Sequence, residues 1–383
     1  MYECAEEADM DNFGTNDGGA RGADYQISAL TVSGEPQTGG SRRGGTRSFY
    51  FQWHIVERCN LRCRHCYQNS HQAGELGETD LQKIACLLES ALIQWRYSGR
   101  VSLTGGEPFL VPGTLFRLLK FFEDSPSFEW VGILTNGTQI DRSTAERLSR
   151  LRKLREVQVS LDGDQATHDS IRGPGSYRRT LDGIAELRGA GVKTAIMFTL
   201  TKQNAGSATS MIDLATELGV DAVTVERASP IGPKCGGDDL LSADEIREIY
   251  TTIAQRKRGL GNGSGTRIRT SRPLWCLADQ KLGGFCPAGF GCLAILHDGT
   301  VLPCRRLEIP VGNILRDGLY RIWYTSPVLW KLRNRKLLSG ECGNCEFQGG
   351  CGGCRAIAHA MTGDFMAEDP QCWKSLAQAG GAV

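Results

Sequence analysis

Three cysteines, Cys59, Cys63 and Cys66, crowd into ERCNLRCRHCYQ, Glu57 to Gln68. A structural zinc ion takes four ligands, so three thiols leave such a cage one short. On a cluster of four irons, three thiolates leave one iron open, and an open metal position is where a cofactor or substrate binds. Spacing alone also allows zinc, completed by His65 or a distant residue, because C-x2-C pairs are frequent zinc signatures.

Eight more cysteines follow near the C-terminus: Cys286, Cys292, Cys304, Cys342, Cys345, Cys351, Cys354 and Cys372. Eight thiolates make two four-ligand sites, either iron–sulfur clusters or a pair of zinc knuckles. The stretch 286–304 reads as two short strands joined at His297-Asp298-Gly299, which brings Cys286, Cys292 and Cys304 together. In CGNCEFQGGCGGC the glycines beside the thiols let backbone approach a cluster closely. This region is poor in periodic aliphatic residues, so metal is expected to supply much of its stability. Of the other cysteines, Cys86 reads as core packing, and Cys4 and Cys276 have no assignment. Cys235 follows the sixth strand.

The chain that carries these thiols has 383 residues, 40% of them hydrophobic and 23% charged, with formal net charge +1. That size supports one large or two ordinary domains with a sizeable core. The balanced charge points to neither nucleic acid nor a membrane surface as partner. No apolar run reaches membrane-spanning length, and no secretory signal opens the chain. A cytoplasmic location follows as the expectation, in which thiols stay reduced and fifteen cysteines call for metal rather than disulfides.

Positioning the thiols requires a scaffold. Residues 1–48 hold nine glycines and eight acids without periodic aliphatics, and are expected to be a disordered tail. From Phe49 six strand–helix repeats follow, with strands at 49–56, 101–104, 130–135, 156–161, 192–200 and 221–227. The clearest helix runs from Thr79, as N-cap, to Tyr97, with Leu81, Ile84, Leu88, Leu92 and Trp95 on one face. Others centre on 113–123, 143–153, 177–189 and 207–218. Alternation of this kind predicts right-handed crossovers and a parallel α/β sheet, open or an incomplete barrel. The domain limits read as 49–235 for this unit, 236–275 for a helix and flexible linker, and 276–383 for the cysteine-dense remainder.

The unusual residues follow the strands. The cysteine loop comes after the first, Gly105-Gly106-Glu107-Pro108 after the second and Asn136-Gly137 after the third. Asp162-Gly163 follows the fourth and Ser229-Pro230-Ile231-Gly232 the sixth. In barrels of parallel strands, this C-terminal edge carries the chemistry.

Cys59-x3-Cys63-x2-Cys66-Tyr67 resembles the signature of the radical S-adenosylmethionine (SAM) superfamily. GGEP at 105–108, VSLDG at 159–163 and HDSIRG at 168–173 also resemble that family, in its order. The resemblance covers about residues 49–235 and implies a partial (β/α)6 barrel. It implies a [4Fe–4S] cluster on Cys59, Cys63 and Cys66, whose open iron chelates the methionine moiety of SAM. Tyr67 would lie near the adenine. Gly105, Gly106, Glu107 and Pro108 would meet the methionine amino group, and Ser160 and Arg172 the cofactor; Asn136 and Asp162, at the same strand ends, join the cofactor-binding set. Reductive cleavage would then yield a 5′-deoxyadenosyl radical, enclosed and aimed at one substrate C–H bond, and Cys235, after the sixth strand, is the candidate hydrogen-atom donor to the substrate radical.

The C-terminal order resembles the SPASM extension, a small irregular domain with two auxiliary [4Fe–4S] clusters. Carried over, one cluster uses Cys286, Cys292, Cys304 and Cys354, and the other Cys342, Cys345, Cys351 and Cys372. The chain departs in having two residues, not three, between Cys351 and Cys354, which bears on the crossover of Cys354. The implied total is three clusters plus SAM, with an electron donor such as flavodoxin or ferredoxin. HDSIRGPGSY and ERASPIG resemble the peptide-modifying branch, which implies a peptide or protein substrate that is crosslinked, oxidised or epimerised. The alternatives are an epimerase or dehydrogenase acting on a sugar or other small molecule, and a non-catalytic iron–sulfur or zinc protein.

Overall fold

The computed structural model describes residues 47–68, 71, 74–232, 236, 239–260 and 265–374. Cys4, Cys235 and nearly all of the expected tail lie outside the described residues. The strand–helix repeats are β1 (Arg47–Val56), α1 (Glu78–Trp95), β2 (Tyr97–Gly105), α2 (Pro112–Asp124), β3 (Phe128–Thr135), α3 (Arg142–Ser149) and β4 (Leu154–Ser160). They continue with α4 (Gln165–Arg172), α5 (Ser176–Gly189), β5 (Thr194–Leu200), α6 (Ser210–Glu217) and β6 (Ala222–Arg227). β1 to β6 lie side by side in chain order, every pair parallel.

The sheet is wider than the six strands read from the sequence. After α7 (Ala243–Leu260), β7 (Arg267–Arg269) joins the free edge of β6 in parallel. β8 (Cys292–Ile295) joins the free edge of β1, also in parallel. β9 (Thr300–Leu302) and β10 (Gly312–Asn313) extend that edge antiparallel, giving ten strands. β8 and β9 form the hairpin expected at His297-Asp298-Gly299. Sequence pattern missed β7 because Arg267-Ile268-Arg269 offers one apolar residue. The edge that β8 chooses is set by the distant strand β1 and has no local signal.

The two faces of the sheet differ. Phe51, Trp53, Val101, Leu103, Val131, Ile133, Val157, Val159, Phe198, Val223 and Val225 are buried in the main core. Trp53 meets Phe122 of α2 edge-on at 6.4 Å. The alternate positions, Gln52, His54, Ser102, Thr104, Glu156, Gln158, Ser160, Thr199, Thr224 and Glu226, are polar. On this polar side Tyr50 of β1 faces Trp130 of β3 at 6.1 Å. Arg269 of β7 donates to Glu156 of β4, with Nη1–Oε1 at 2.6 Å. Strands three apart in a flat sheet are separated by roughly 14 Å. The sheet therefore curves around its polar face, as a partial barrel does.

α1 buries Leu81, Ile84, Leu88, Leu92 and Trp95 as its spacing predicts, but starts one residue before Thr79. Gly77 is the N-cap without a side-chain bond, and Glu78 and Asp80 in the first turn suit the helix dipole. α4 was missed because QATHDSIR has almost no apolar period; Asp164 caps it by accepting from Thr167 N at 2.8 Å. Cys86, read as core packing, is half-buried on α1. Tyr250 of α7 stacks on Trp275 at 3.8 Å and 6° and meets Trp373 edge-on at 6.0 Å, fixing this helix to the cysteine-dense region. No helix among the described residues is long and apolar enough to cross a membrane.

Candidate active site

The cysteine loop leaves β1 and crosses the C-terminal edge of the sheet. Its thiols are surrounded by N–H donors. Leu61 N lies 3.4 Å from Cys59 Sγ, Gln68 N 3.5 Å from Cys66 Sγ, and Arg172 Nη1 3.8 Å from Cys63 Sγ. Burial pushes the Cys59 thiol up to about 12 and raises Cys63. Cys59 and Cys63, costly to ionise alone, and Cys66 beside them, each with an N–H donor at its sulfur, fit the ligands of a cationic metal cluster.

GGEP presses against this loop. Gly106 N donates to Val56 O at 2.8 Å and Glu107 N to Arg58 O at 2.9 Å. A Cβ at Gly105 would sit 2.1 Å from Val56 O, and one at Gly106 2.1 Å from Arg58 O, so both positions need glycine. Pro108 opens a short 3-10 turn. Glu107 is fully buried and accepts from Phe109 N at 3.1 Å, Thr135 Oγ1 at 2.7 Å and Asn136 N at 2.8 Å. Burial raises its carboxyl to about 7 against those bonds. Its carboxylate thus ties the end of β2 to the end of β3. Asn136 then reaches the cysteine loop, donating from Nδ2 to Asn60 Oδ1 at 2.9 Å.

Asp162 is the hub on the other side. Its Oδ2 accepts Arg172 Nε at 2.6 Å and His65 Nε2 at 2.8 Å, and its Oδ1 accepts Thr199 N at 2.9 Å. Burial alone would raise this carboxyl, but Arg172 and His65 outweigh it and hold Asp162 well below the ordinary carboxylate range. His65, weighed above as a zinc ligand, here has its Nε2 on a carboxylate. Ser160 ends β4 beside this hub, half-exposed.

The C-terminal thiols gather in two places. Cys286, Cys304 and Cys354 line one cavity with Arg272 and Arg306. Cys292 is buried next to it, donating to Pro303 O at 3.5 Å. Cys342, Cys345, Cys351 and Cys372 line the other. Cys354 therefore stands apart from its neighbour Cys351, as the crossover requires. Asp369 fixes that separation: it accepts Cys354 N at 2.8 Å and pairs two-fold with Arg227 of β6, at 3.1 and 2.8 Å. Cations also attend the second cavity, with Arg355 Nη2 3.7 Å from Cys342 Sγ and Lys374 Nζ 3.6 Å from Cys345 Sγ. The donor sets fit two thiolate-ligated clusters. Cys276, given no role from sequence, is buried beside Cys351 of the second set.

Several site residues escaped sequence reasoning. Arg305 lies over the Tyr67 ring, its guanidinium carbon 4.2 Å from the centroid. Tyr67 in turn lies 6.3 Å from His54 of β1. Glu57 takes His297 Nδ1 at 3.1 Å and Gln68 Nε2 at 3.0 Å, joining the β8–β9 turn to the cysteine loop. Glu226 accepts from Arg272 and Arg306 at 2.9 and 3.1 Å. The one available signal was polarity at alternate strand positions, which marks a strand face turned to a cavity. Gly232 packs on the Tyr67 backbone, where a Cβ would lie 2.8 Å away. Cys235 lies outside the described residues.

Comparison with known proteins adds independent findings. Residues 53–215 match the Radical SAM superfamily, and residues 286–346 the SPASM iron–sulfur cluster-binding domain. The chain is 32% identical over 343 residues to the AdoMet-dependent heme synthase of Methanosarcina barkeri, covering 84% of this chain and 95% of that protein. It is 30% identical over 352 residues to the mycofactocin maturase MftC of Mycobacterium tuberculosis, covering 86% and 84%. The structure of SuiB from Streptococcus suis bound to precursor peptide SuiA superposes with TM-score 0.68 at 18% identity, over 85% of this chain and 76% of that one. This last likeness shows the fold.

Proposed function

Because the chain belongs to the radical SAM superfamily and carries a SPASM iron–sulfur domain, we propose that it removes a hydrogen atom from a carbon of a substrate seated on the polar, concave face of its sheet. The observation that carries this reading is convergence. Cys59, Cys63, Cys66, Gly106, Glu107, Asn136 and Asp162 come from four strand ends and Arg172 from the end of α4, and hydrogen bonds tie them together at one edge. A [4Fe–4S] cluster with SAM, held by the three thiols, supplies the one-electron cleavage that makes hydrogen abstraction possible.

The protein's own contributions are positioning and exclusion. Glu107 and Asn136 hold the loop from below, and Asp162 orients Arg172 against Cys63. The curved face shields the reacting carbon from bulk water. Cys286, Cys292, Cys304 and Cys354, and Cys342, Cys345, Cys351 and Cys372, would hold two auxiliary clusters, three clusters in all with that of the SAM site, and these would supply a route for electrons to or from the substrate. A flavodoxin- or ferredoxin-type donor supplies the reducing electron.

The substrate in this reading is a ribosomally made peptide or protein, supported by the likeness to mycofactocin maturase MftC. A second reading, a tetrapyrrole, is supported by the likeness to heme synthase across 95% of its length. Anaerobic turnover with each candidate, followed by mass spectrometry, separates them. A mass change in the peptide alone supports the first, and one in an iron–porphyrin carboxylate alone the second. Loss of two hydrogens marks crosslinking or oxidation. An unchanged mass with solvent deuterium incorporated marks epimerisation.

A further inference from the structure

Arg305 and Arg306 are neighbours that face different centres. Arg306 lines the cavity of Cys286, Cys304 and Cys354 and binds Glu226. Arg305 turns the other way, over Tyr67 beside the SAM-site thiols. Its side chain is 7% exposed. Among the described residues it has one anionic partner, Glu308, at 2.9 Å, which is itself 32% exposed. Its buried Nε has no hydrogen-bond partner. Two other buried arginines are better compensated: Arg227 by both oxygens of Asp369, and Arg172 by the fully buried Asp162; Arg335 and Arg355 also have an unpartnered Nε, but both lie against the C-terminal thiol region rather than the SAM site. Glu226 is already shared by Arg272 and Arg306. A buried guanidinium with an idle Nε is costly unless an anion completes it.

We infer that Arg305 anchors a carboxylate of the substrate beside Tyr67, between the SAM site and the first C-terminal thiol set. The Nε–Nη edge of a guanidinium matches the two oxygens of a carboxylate, and a neutral amide cannot compensate its charge. Glu308, partly solvated, can yield its place to the incoming anion. This deepens the proposed function and rests on its placing of the substrate on the concave face.

The test uses the full-length, anaerobically reconstituted protein with SAM. Sodium propionate and propionamide are titrated separately and followed by saturation-transfer NMR. Propionate is expected to bind about tenfold more tightly than the amide. R305Q should abolish that preference, and R305K restore part of it, since lysine keeps the charge but not the fork. A blocked peptide, N-acetyl-Ala-Glu-Ala-amide, replaces propionate in a further arm. Tighter binding than propionate assigns the carboxylate to a peptide side chain, weaker binding to a small acid, and either result supports the anchor if R305Q removes it. Equal affinity for propionate and propionamide in the wild type overturns the inference. So does a preference that survives in R305Q, which is what a merely structural arginine would give. The same wild-type preparation is assayed for 5′-deoxyadenosine under reduction. If it forms while no carboxylate preference exists, only the Arg305 inference fails; if it does not form, the parent reading fails.

Discussion

Arg172 donates from Nε to Asp162 at 2.6 Å, with both side chains buried, while its Nη1 lies 3.8 Å from Cys63 Sγ. The ion pair thus stands directly behind one of the three thiols. Asp162→Asn leaves the guanidinium buried without a counter-charge, which costs about 3–5 kcal/mol when one partner of such a pair is lost. Chemical unfolding of the anaerobic protein should show that loss. A change below about 1 kcal/mol would mean that the pair is not the strut described here.

His168 gives a pH dependence with a defined sign. Its Nδ1 accepts Asp162 N at 3.1 Å, which requires a neutral ring. Burial, then Arg172, lowers its pKa from 6.5 to about 4. Below 6.5 the unfolded chain therefore binds the extra proton, and stability falls as pH drops toward 4, where the native ring also charges. His168→Asn keeps an acceptor without the titration. Between pH 7.5 and 5.5 the variant should lose about 1 kcal/mol less stability than the wild type. Parallel unfolding curves at the two pH values read this difference.

Gly106→Ala tests the cradle under the cysteine loop. The added Cβ would meet Arg58 O at 2.1 Å and Glu57 O at 2.4 Å, so the backbone before Cys59 must move. Misplacement of that size is expected to cost about a hundredfold in 5′-deoxyadenosine formation. The C-terminal thiol sets lie elsewhere, so iron should fall by roughly four atoms per chain and no more. Iron analysis with a rate assay checks both parts.

Much of this arrangement was legible in the sequence because its signals are local. Thiol spacing marked Cys59, Cys63 and Cys66, and the strand-end positions of Gly105-Gly106-Glu107-Pro108, Asn136 and Asp162 marked their shared edge. β7 and the sheet partner of β8 were not legible, since an edge strand borrows its pairing from residues far along the chain. Arg305, Glu226 and Asp369 were equally silent. A charged residue reads as solvated until tertiary packing buries it, and packing brings Arg227 and Asp369 together across 142 positions. Glu107 was legible as a site residue, but not that its carboxylate would be taken up by Phe109, Thr135 and Asn136.

Asp369→Ala bears on the crossover of Cys354. It removes the acceptor of Cys354 N and both oxygens that hold Arg227. Loss of about four irons per chain is expected, with the SAM-site cluster retained. Mössbauer spectra of the wild type and variant count the clusters. Full iron in the variant would show that Asp369 does not hold Cys354 in place for a cluster.

The central claim is that Cys59, Cys63 and Cys66 form a SAM-cleaving centre. Its most direct test is 5′-deoxyadenosine measured by mass spectrometry after anaerobic reduction of the reconstituted wild type and of Cys63→Ala. The wild type should form the product and the variant should stay at background. No product from an iron-loaded wild type, or equal product from the variant, would contradict the claim.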